Sequence, residues 1–363
     1  ASDVYKRQGH LIADKLLIAT ARQIEECLRP TDKVAYLGRD EFAILLENIQ
    51  DASVAKSIAD RIYQQMTLPF NLDGHEIYCH SSIGVAVGTT LFHSGYERPE
   101  DFLRAADTAM YEASGKGKPV FFEPAMHAQA LARLQLDTDL RRAIEREEFQ
   151  LQYQPIISLQ TGKIVGFEAL VRWLHPTRGL VSPVEFIPVA EETRLIIPIG
   201  HWVLRSACRQ LRIWQRQFST NLTMSVNLSP VQLGQPNLVA QIDEILSEIW
   251  LTPYTLKLEI TESSIMKNTE SAIGLLEELK QRKIQLSIDD FGTGYSSLSY
   301  LHRFPLDTLK IDRSFVMGIT KDPENLEIVR VIINLAHNLG MNVVAEGVEN
   351  LEQVTLLLGF ECE

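Results

Sequence analysis

The chain has 363 residues, more than one hydrophobic core usually organises, so two domains are expected. Its 35 Lys and Arg against 47 Asp and Glu leave a formal net charge of -12, which argues against binding a nucleic-acid polymer, whose phosphates call for a basic surface. The 45% hydrophobic fraction is that of a soluble globular protein, and no run of about eighteen apolar residues predicts a membrane span.

In chain order, residues 1–8, ASDVYKRQ, carry no apolar period and are expected to be an artefactual or disordered leader without function. GHLIADKLLIATARQI then reads as a helix reaching Leu28 with its apolar stripe intact. An alternating run near VAYLGRDEFAILL, a helix over Ala52–Gln65, strands around EIYCHSSIGVAVG, a helix over DFLRAADTAMYEAS and a short strand PVFFE follow. Residues 9–122 therefore predict an α+β sandwich with a mostly antiparallel sheet. Residues 123–148 are charged, periodic and free of glycine, and predict a helical connector. From 149 to 363 strand and helix alternate: FQLQYQPIIS, IVGFEALVRW, LTMSVNLS, TLKLEITES, IQLSIDDFG, TLKIDRSF and MNVVAEGVE are strands with helices between most of them. Repeated units of this length predict an α/β fold of the (β/α)8 barrel type, its last strand missing because the chain stops at GFECE. Four cysteines, Cys27, Cys79, Cys208 and Cys362, show no CxxC or zinc spacing and read as reduced thiols of a cytosolic protein.

The segment QLSIDDFGTGYSSL places two adjacent acids, Asp289 and Asp290, at a strand end. Neighbours on a strand point to opposite faces, so both reach one site only where the strand breaks, and Gly292 and Gly294 allow a break. A divalent cation would keep both ionised and use both as hard oxygen ligands; the alternative is an Asp-Gly surface turn. Barrel chemistry sits at the carboxyl ends of strands, and nearly every strand here ends in a polar residue: Glu168, Asn227, Glu259 with Glu262, Asp289 with Asp290, Lys310 with Asp312, Glu346 with Glu349. His175 and His302 sit beside Pro or in polar helical segments and read as structural.

From about 131 to 360 the chain resembles the EAL-domain cyclic di-GMP phosphodiesterases of bacteria. The resemblance rests on YQPI, FEALVRW with Glu168, Ala169 and Leu170 as the triplet, VNLS, LEITES, IDDFGTGYSSL, LKIDRSF and AEGVE, all in order. It implies hydrolysis of cyclic di-GMP to pGpG with two Mg²⁺ or Mn²⁺ ions, one on Glu168, Asn227, Glu259 and Asp289, the second on Asp289, Asp290 and Glu346. Lys310 would orient water or stabilise phosphoryl oxygens, and Arg172 would bind a substrate phosphate. Glu262 would steady the loop after the aspartates, Asp312 and Glu349 would support from behind, and Gln154 either touches substrate or satisfies a strand end. In the family the loop Phe291–Ser297 couples metal binding to dimerisation, which implies a homodimer through this domain. The competing class is a non-catalytic cyclic di-GMP or GTP-binding receptor or scaffold.

Residues 9–122 resemble the latter part of a GGDEF diguanylate cyclase domain through GHLIADKLLIATA, RPTD, LGRDEFAILL, SSIGVA and ADTAMYEASGKG. The signature departs: Gly38, Arg39, Asp40, Glu41 and Phe42 stand for Gly-Gly-Asp-Glu-Phe, with Tyr36 in place of the upstream arginine. Arg39 puts a side chain where backbone must approach a nucleotide, so synthesis is not expected, and the domain is expected to be regulatory. GTP is the candidate ligand of this domain. Arg29 and Asp32 match the family's product-binding RxxD pair, or are ordinary residues of a surface turn. The implied location is the cytoplasm, with a parent protein that could be tethered to the inner face of the membrane.

Overall fold

The computed structural model describes residues 2–72, 74–88, 98–218, 221–266, 269–292 and 301–363. Contacts divide the chain into two compact units, Ala1–Leu134 and Gln135–Glu363.

The first unit runs α1 (Ser2–Glu26), β1 (Lys33–Gly38), β2 (Glu41–Leu45), α2 (Ala52–Met66), β3 (Phe70–Leu72), β4 (His75–Ile77), β5 (Gly84–Val85), α3 (Pro99–Ala113) and β6 (Val120–Phe121), then enters α4 (Pro124–Glu145). Residues 2–8 form the first turns of α1; they contain no proline or glycine that would stop a helix. The core gathers Ile24 and Cys27 with Ile58, Ile62 and Met66 of α2 and Phe70 of β3. Asp51 caps α2 by accepting the Ser53 N–H at 2.7 Å, as an N-cap carboxylate should. The expected sheet is, among the described residues, three separate ladders: β1–β2 and β3–β4 antiparallel, β5–β6 parallel. β5 packs closely on a helix, since a Cβ on Gly84 would meet Ala106 O of α3 at 2.0 Å. Only glycine permits that backbone approach.

The second unit holds β7 (Phe149–Ile157), β8 (Ile164–His175), β9 (Gly179–Val181), α5 (Pro183–Glu192), α6 (Ile196–Phe218), β10 (Thr223–Asn227), α7 (Pro230–Leu233), α8 (Leu238–Ile249), β11 (Leu256–Thr261), α9 (Glu262–Met266), α10 (Thr269–Gln281), β12 (Gln285–Phe291), β13 (Thr308–Ile311), α11 (Arg313–Gly318), α12 (Pro323–Asn338), β14 (Asn342–Ala345) and α13 (Leu351–Gly359). All seven strands expected from alternation are present, and β9 is an addition. The sheet order is β14–β13–β12–β11–β10–β8–β7, with β9 on the side of β8. Neighbours from β8 to β14 pair in parallel, while β7 runs antiparallel to β8. The cause lies in the short link 158–163: a parallel pair needs a crossover of about a dozen residues or more, whereas a short turn reverses the chain.

Period-two alternation sorts each parallel strand into two faces. Leu256, Leu258, Ile260, Leu286, Ile288, Leu309 and Ile311 are all 1% exposed or less and belong to the core beneath the helices. The alternate set, Lys257, Glu259, Thr261, Ser287, Asp289, Thr308 and Lys310, points the other way, into the curl of the sheet. The helical layer is apolar in the usual pattern, with Ile199, Val203, Ala207 and Leu211 of α6 buried at a spacing of four.

Candidate active site

The inward polar positions converge at the carboxyl ends of the parallel strands. Asn227 of β10 lies directly beside Glu259 of β11, and Thr261 of β11 beside Asp289 of β12. The ammonium of Lys310 on β13 sits at the centre, 2.6 Å from Glu259 Oε2, 2.6 Å from Glu346 Oε1, 3.1 Å from Asp289 Oδ1 and 3.2 Å from Glu168 Oε2. Asn227 Nδ2 donates to the other oxygen of Glu168 at 2.8 Å. The Lys310 and Glu259 side chains are 3% and 1% exposed.

One cation facing four carboxylates leaves an excess of buried negative charge. Burial by itself would depress the Lys310 pKa, but Glu259, Glu168, Asp289 and Glu346 hold it well above the ordinary lysine range. Burial pushes Glu259 up to about 7, against the pull of Lys310 and with Glu168 and Asp289 adding to the rise. Burial likewise raises Glu346 and, together with Asp289 and Asp312, Asp290. Raised carboxyl groups around a shared centre are what crowding of like charge produces.

The paired aspartates reach one site by a break at Asp290 itself. Its φ is 54° and that of Gly292 is 94°, and the pairing of β12 with β13 shifts register between Ile288 and Phe291. A bulge of this kind re-aims a side chain that would otherwise face the helices. It brings one oxygen each of Asp289, Asp290 and Glu346 within 4.8 Å of one another, a grouping that could hold a cation. Gly292 has a second reason to be glycine, since a Cβ would meet Phe315 Cε2 at 3.0 Å. Its N–H donates to Glu262 Oε2 at 3.3 Å, while the buried Oε1 of Glu262 has no partner among the described residues. Residues 293–297 of the loop read as a switch lie outside the described residues.

Around this centre the other expected residues take distinct places. Gln154 of β7 pairs in register with Glu168 and is exposed beside it. Arg172 stands four residues beyond Glu168 on the same strand face and donates from Nε to Gln152 Oε1 at 2.8 Å. Asp312 caps α11 through the Ser314 N–H at 2.9 Å, and the bonds from Ser314 outweigh its slight burial and hold its carboxyl below the usual range. Glu349 is exposed, and its N–H donates to Gln353 Oε1 at 2.7 Å. His175 accepts the N–H groups of Thr177 and Arg178 at Nδ1, both at 3.2 Å, a structural role. In the first unit, Arg29 and Asp32 form a turn in which the Asp32 carboxylate accepts the Arg29 N–H at 2.9 Å. Arg39 has a φ of 56° beside Gly38 at 111°, so it occupies a conformation that glycine takes freely.

Two features escaped sequence reasoning. Gln353, 3% exposed, bonds Val316 O, Glu349 N and Asn350 N, tying α13 to α11 behind Glu346; its NxxQ capping box with Asn350 was the readable signal. The inward residues below the carboxylates, Lys257 and Thr308 among them, are polar too, and following the strand alternation one step back would have found them.

The oxygen-only donor set fits hard divalent cations and disfavours zinc or copper. The EAL domain family matches residues 137–363, and the family described as diguanylate cyclase, GGDEF domain, matches 3–119. The bifunctional diguanylate cyclase/cyclic di-GMP phosphodiesterase MucR of Pseudomonas aeruginosa is 40% identical over 98% of this chain and 51% of that protein. The cyclic di-GMP phosphodiesterase PdeR of Escherichia coli is 38% identical over 96% of this chain and 52% of that protein. The chain thus spans about half the length of these relatives. Among solved structures, the c-di-GMP complex of the PaMucR phosphodiesterase is 43% identical, covering 63% of this chain and 93% of that one at a TM-score of 0.61. The EAL enzyme Bd1971 with cAMP and cyclic-di-GMP bound is 39% identical, covering 65% of this chain and 64% of that one at 0.62.

Proposed function

The chain belongs to the EAL-domain family, and from that premise we propose that its second unit hydrolyses cyclic di-GMP to the linear dinucleotide pGpG, under regulation by the GGDEF domain before it. The observation that carries this reading is the meeting of Glu168, Glu259, Asp289 and Glu346 on Lys310. Glu168, Asn227, Glu259 and Asp289 would hold one divalent ion and Asp289, Asp290 and Glu346 a second, with Mg²⁺ or Mn²⁺ suited to such oxygen donors. Bound together, two such ions supply an activated water and neutralise charge on a phosphodiester.

The side chains supply the rest. Lys310, a compact point charge among the carboxylates, would stabilise phosphoryl oxygens. Arg172 offers a planar fork to a substrate phosphate, held at one edge by Gln152. Gln154, next to Glu168 in register, would contact substrate. Asp312 and Glu262 keep the backbone on either side of the site in position.

Arg39 obstructs diguanylate synthesis in the first unit, which would instead bind GTP and bias the phosphodiesterase by differential affinity for its states. Arg29 and Asp32 are the candidate guanine-nucleotide contacts there. Among the described residues no helix is long and apolar enough to cross a membrane; a cytoplasmic homodimer associating through the EAL domain is the reading we favour. A cyclic di-GMP hydrolysis assay on the purified chain with Mg²⁺ or Mn²⁺, with and without GTP, tests it. Metal-dependent pGpG formation is expected, and binding without turnover in the presence of metal would make the chain a receptor instead.

A further inference from the structure

Beneath the carboxylates lies a second inward layer with a chemistry of its own. Stepping back two positions from Asn227, Glu259, Asp289 and Lys310 keeps the same strand face and reaches Ser225, Lys257, Ser287 and Thr308. Ser225 and Ser287 are 0% exposed and Thr308 is 1% exposed. Lys257 Nζ donates to Thr308 Oγ1 at 3.1 Å, from β11 to β13 over the intervening β12, so residues two strands apart at this level meet inside the curl. Ser225 of β10 and Ser287 of β12 stand in the same relation across β11.

Neither serine hydroxyl has a hydrogen-bond partner among the described residues. Fully buried hydroxyls are seldom left so, and each offers one donor and two acceptor sites, while an ammonium carries three donors of which Thr308 takes one. The layer thus combines the unfilled donors and acceptors of two fully buried hydroxyls with a partly buried ammonium. An apolar ligand would find no match for them, and an ion of either sign would meet only part of the set.

We propose that this layer binds ordered water, held between the hydroxyls of Ser225 and Ser287 and the Lys257 ammonium, as a hydrated floor under the carboxylate cluster. Buried water of this type makes about three hydrogen bonds and is part of the fold. The floor gives the Lys257 head a polar environment inside the sheet and separates its charge from Lys310 above. The inference concerns folding and hydration, so it stands or falls independently of whether cyclic di-GMP is the substrate.

The test uses the full chain with Ser225→Ala and Ser287→Ala made singly. If each hydroxyl holds water, its removal takes a partner from that water and lowers Tm, by roughly 2–4 °C for a hydrogen bond's worth of stability. If the hydroxyls are unpartnered in solution, alanine removes an unsatisfied buried group and Tm stays level or rises, which overturns the proposal. A crystal structure of the unmodified chain gives the second reading: ordered water about 2.7–3.2 Å from both hydroxyls supports it, whereas direct serine bonds to backbone, or no water between them, overturns it.

Discussion

Replacing Lys310 with methionine removes one cation from among four carboxylates while leaving a side chain long enough to fill the space. Its ammonium lies 2.6 Å from both Glu259 and Glu346 and within 3.2 Å of Asp289 and Glu168. Breaking a buried pair by deleting one partner costs about 3–5 kcal/mol, because the remaining charge stays buried without compensation. Proton uptake limits the damage: Glu259, already pushed up to about 7, rises further once the cation is gone, at about 1.4 kcal/mol per pH unit. The expected loss in the metal-free protein is therefore about 3–5 kcal/mol at pH 8 and clearly smaller at pH 6. Saturating Mg²⁺ should narrow the gap between variant and parent, since a divalent ion replaces the missing charge. All four tryptophans, Trp173, Trp202, Trp214 and Trp250, lie in the second unit, so urea denaturation followed by tryptophan fluorescence reports on the barrel alone. A metal-free Lys310→Met protein as stable as the parent at pH 8 would refute the idea that Lys310 is the counter-ion of this cluster.

Asp290→Asn keeps a residue that tolerates the left-handed backbone at φ 54°, so Tm should hold while cyclic di-GMP hydrolysis falls by at least about a hundredfold; full activity would exclude Asp290 as a ligand. Arg39→Gly relieves a left-handed arginine, and thermal melting of the first unit should show a gain of about 1 kcal/mol, still without diguanylate formation from GTP; a loss of stability would refute the strain. In chelator, stability should fall between pH 5 and pH 8. The folded state retains a proton on Glu259 up to about 7, whereas the unfolded chain releases it near its ordinary 4.5, so the native form binds more protons across that window. Glu346 and Asp290 shift in the same direction, and the raised Lys310 stays protonated throughout. Mg²⁺ should flatten the slope; a metal-free Tm higher at pH 8 than at pH 5 would contradict it.

Much of the curled sheet could be read from alternation alone, because LKLEIT, QLSIDDF and TLKI set apolar residues against polar ones with period two, and the two sets went to opposite faces. The reversal of β7 was also within reach, since residues 158–163 are too few to carry a crossover helix. The break that brings Asp290 to Asp289 was placed at the glycines by sequence and lies at Asp290, because a register shift depends on the neighbouring strand β13 and is invisible in β12 by itself. The fourfold pairing of Lys310 was hidden for the same reason: its partners come from β8, β11, β12 and the end of β14, and no local pattern joins them. In the first unit, alternation identified strands without saying which would pair, so one sheet was expected where three ladders stand among the described residues.

The reversed first strand decides where the polypeptide is fed into the barrel. Phe149 at the start of β7 pairs with Trp173, beyond Glu168 on the carboxyl side of β8, and Glu148 there accepts the Trp173 indole N–H at 3.0 Å. A parallel first strand would have delivered the incoming chain to the opposite end, a barrel's depth away from the acids. With β7 reversed, the chain leaving α4 enters the second unit at the end that carries the acids, beside the strand pair holding Gln154, Glu168 and Arg172.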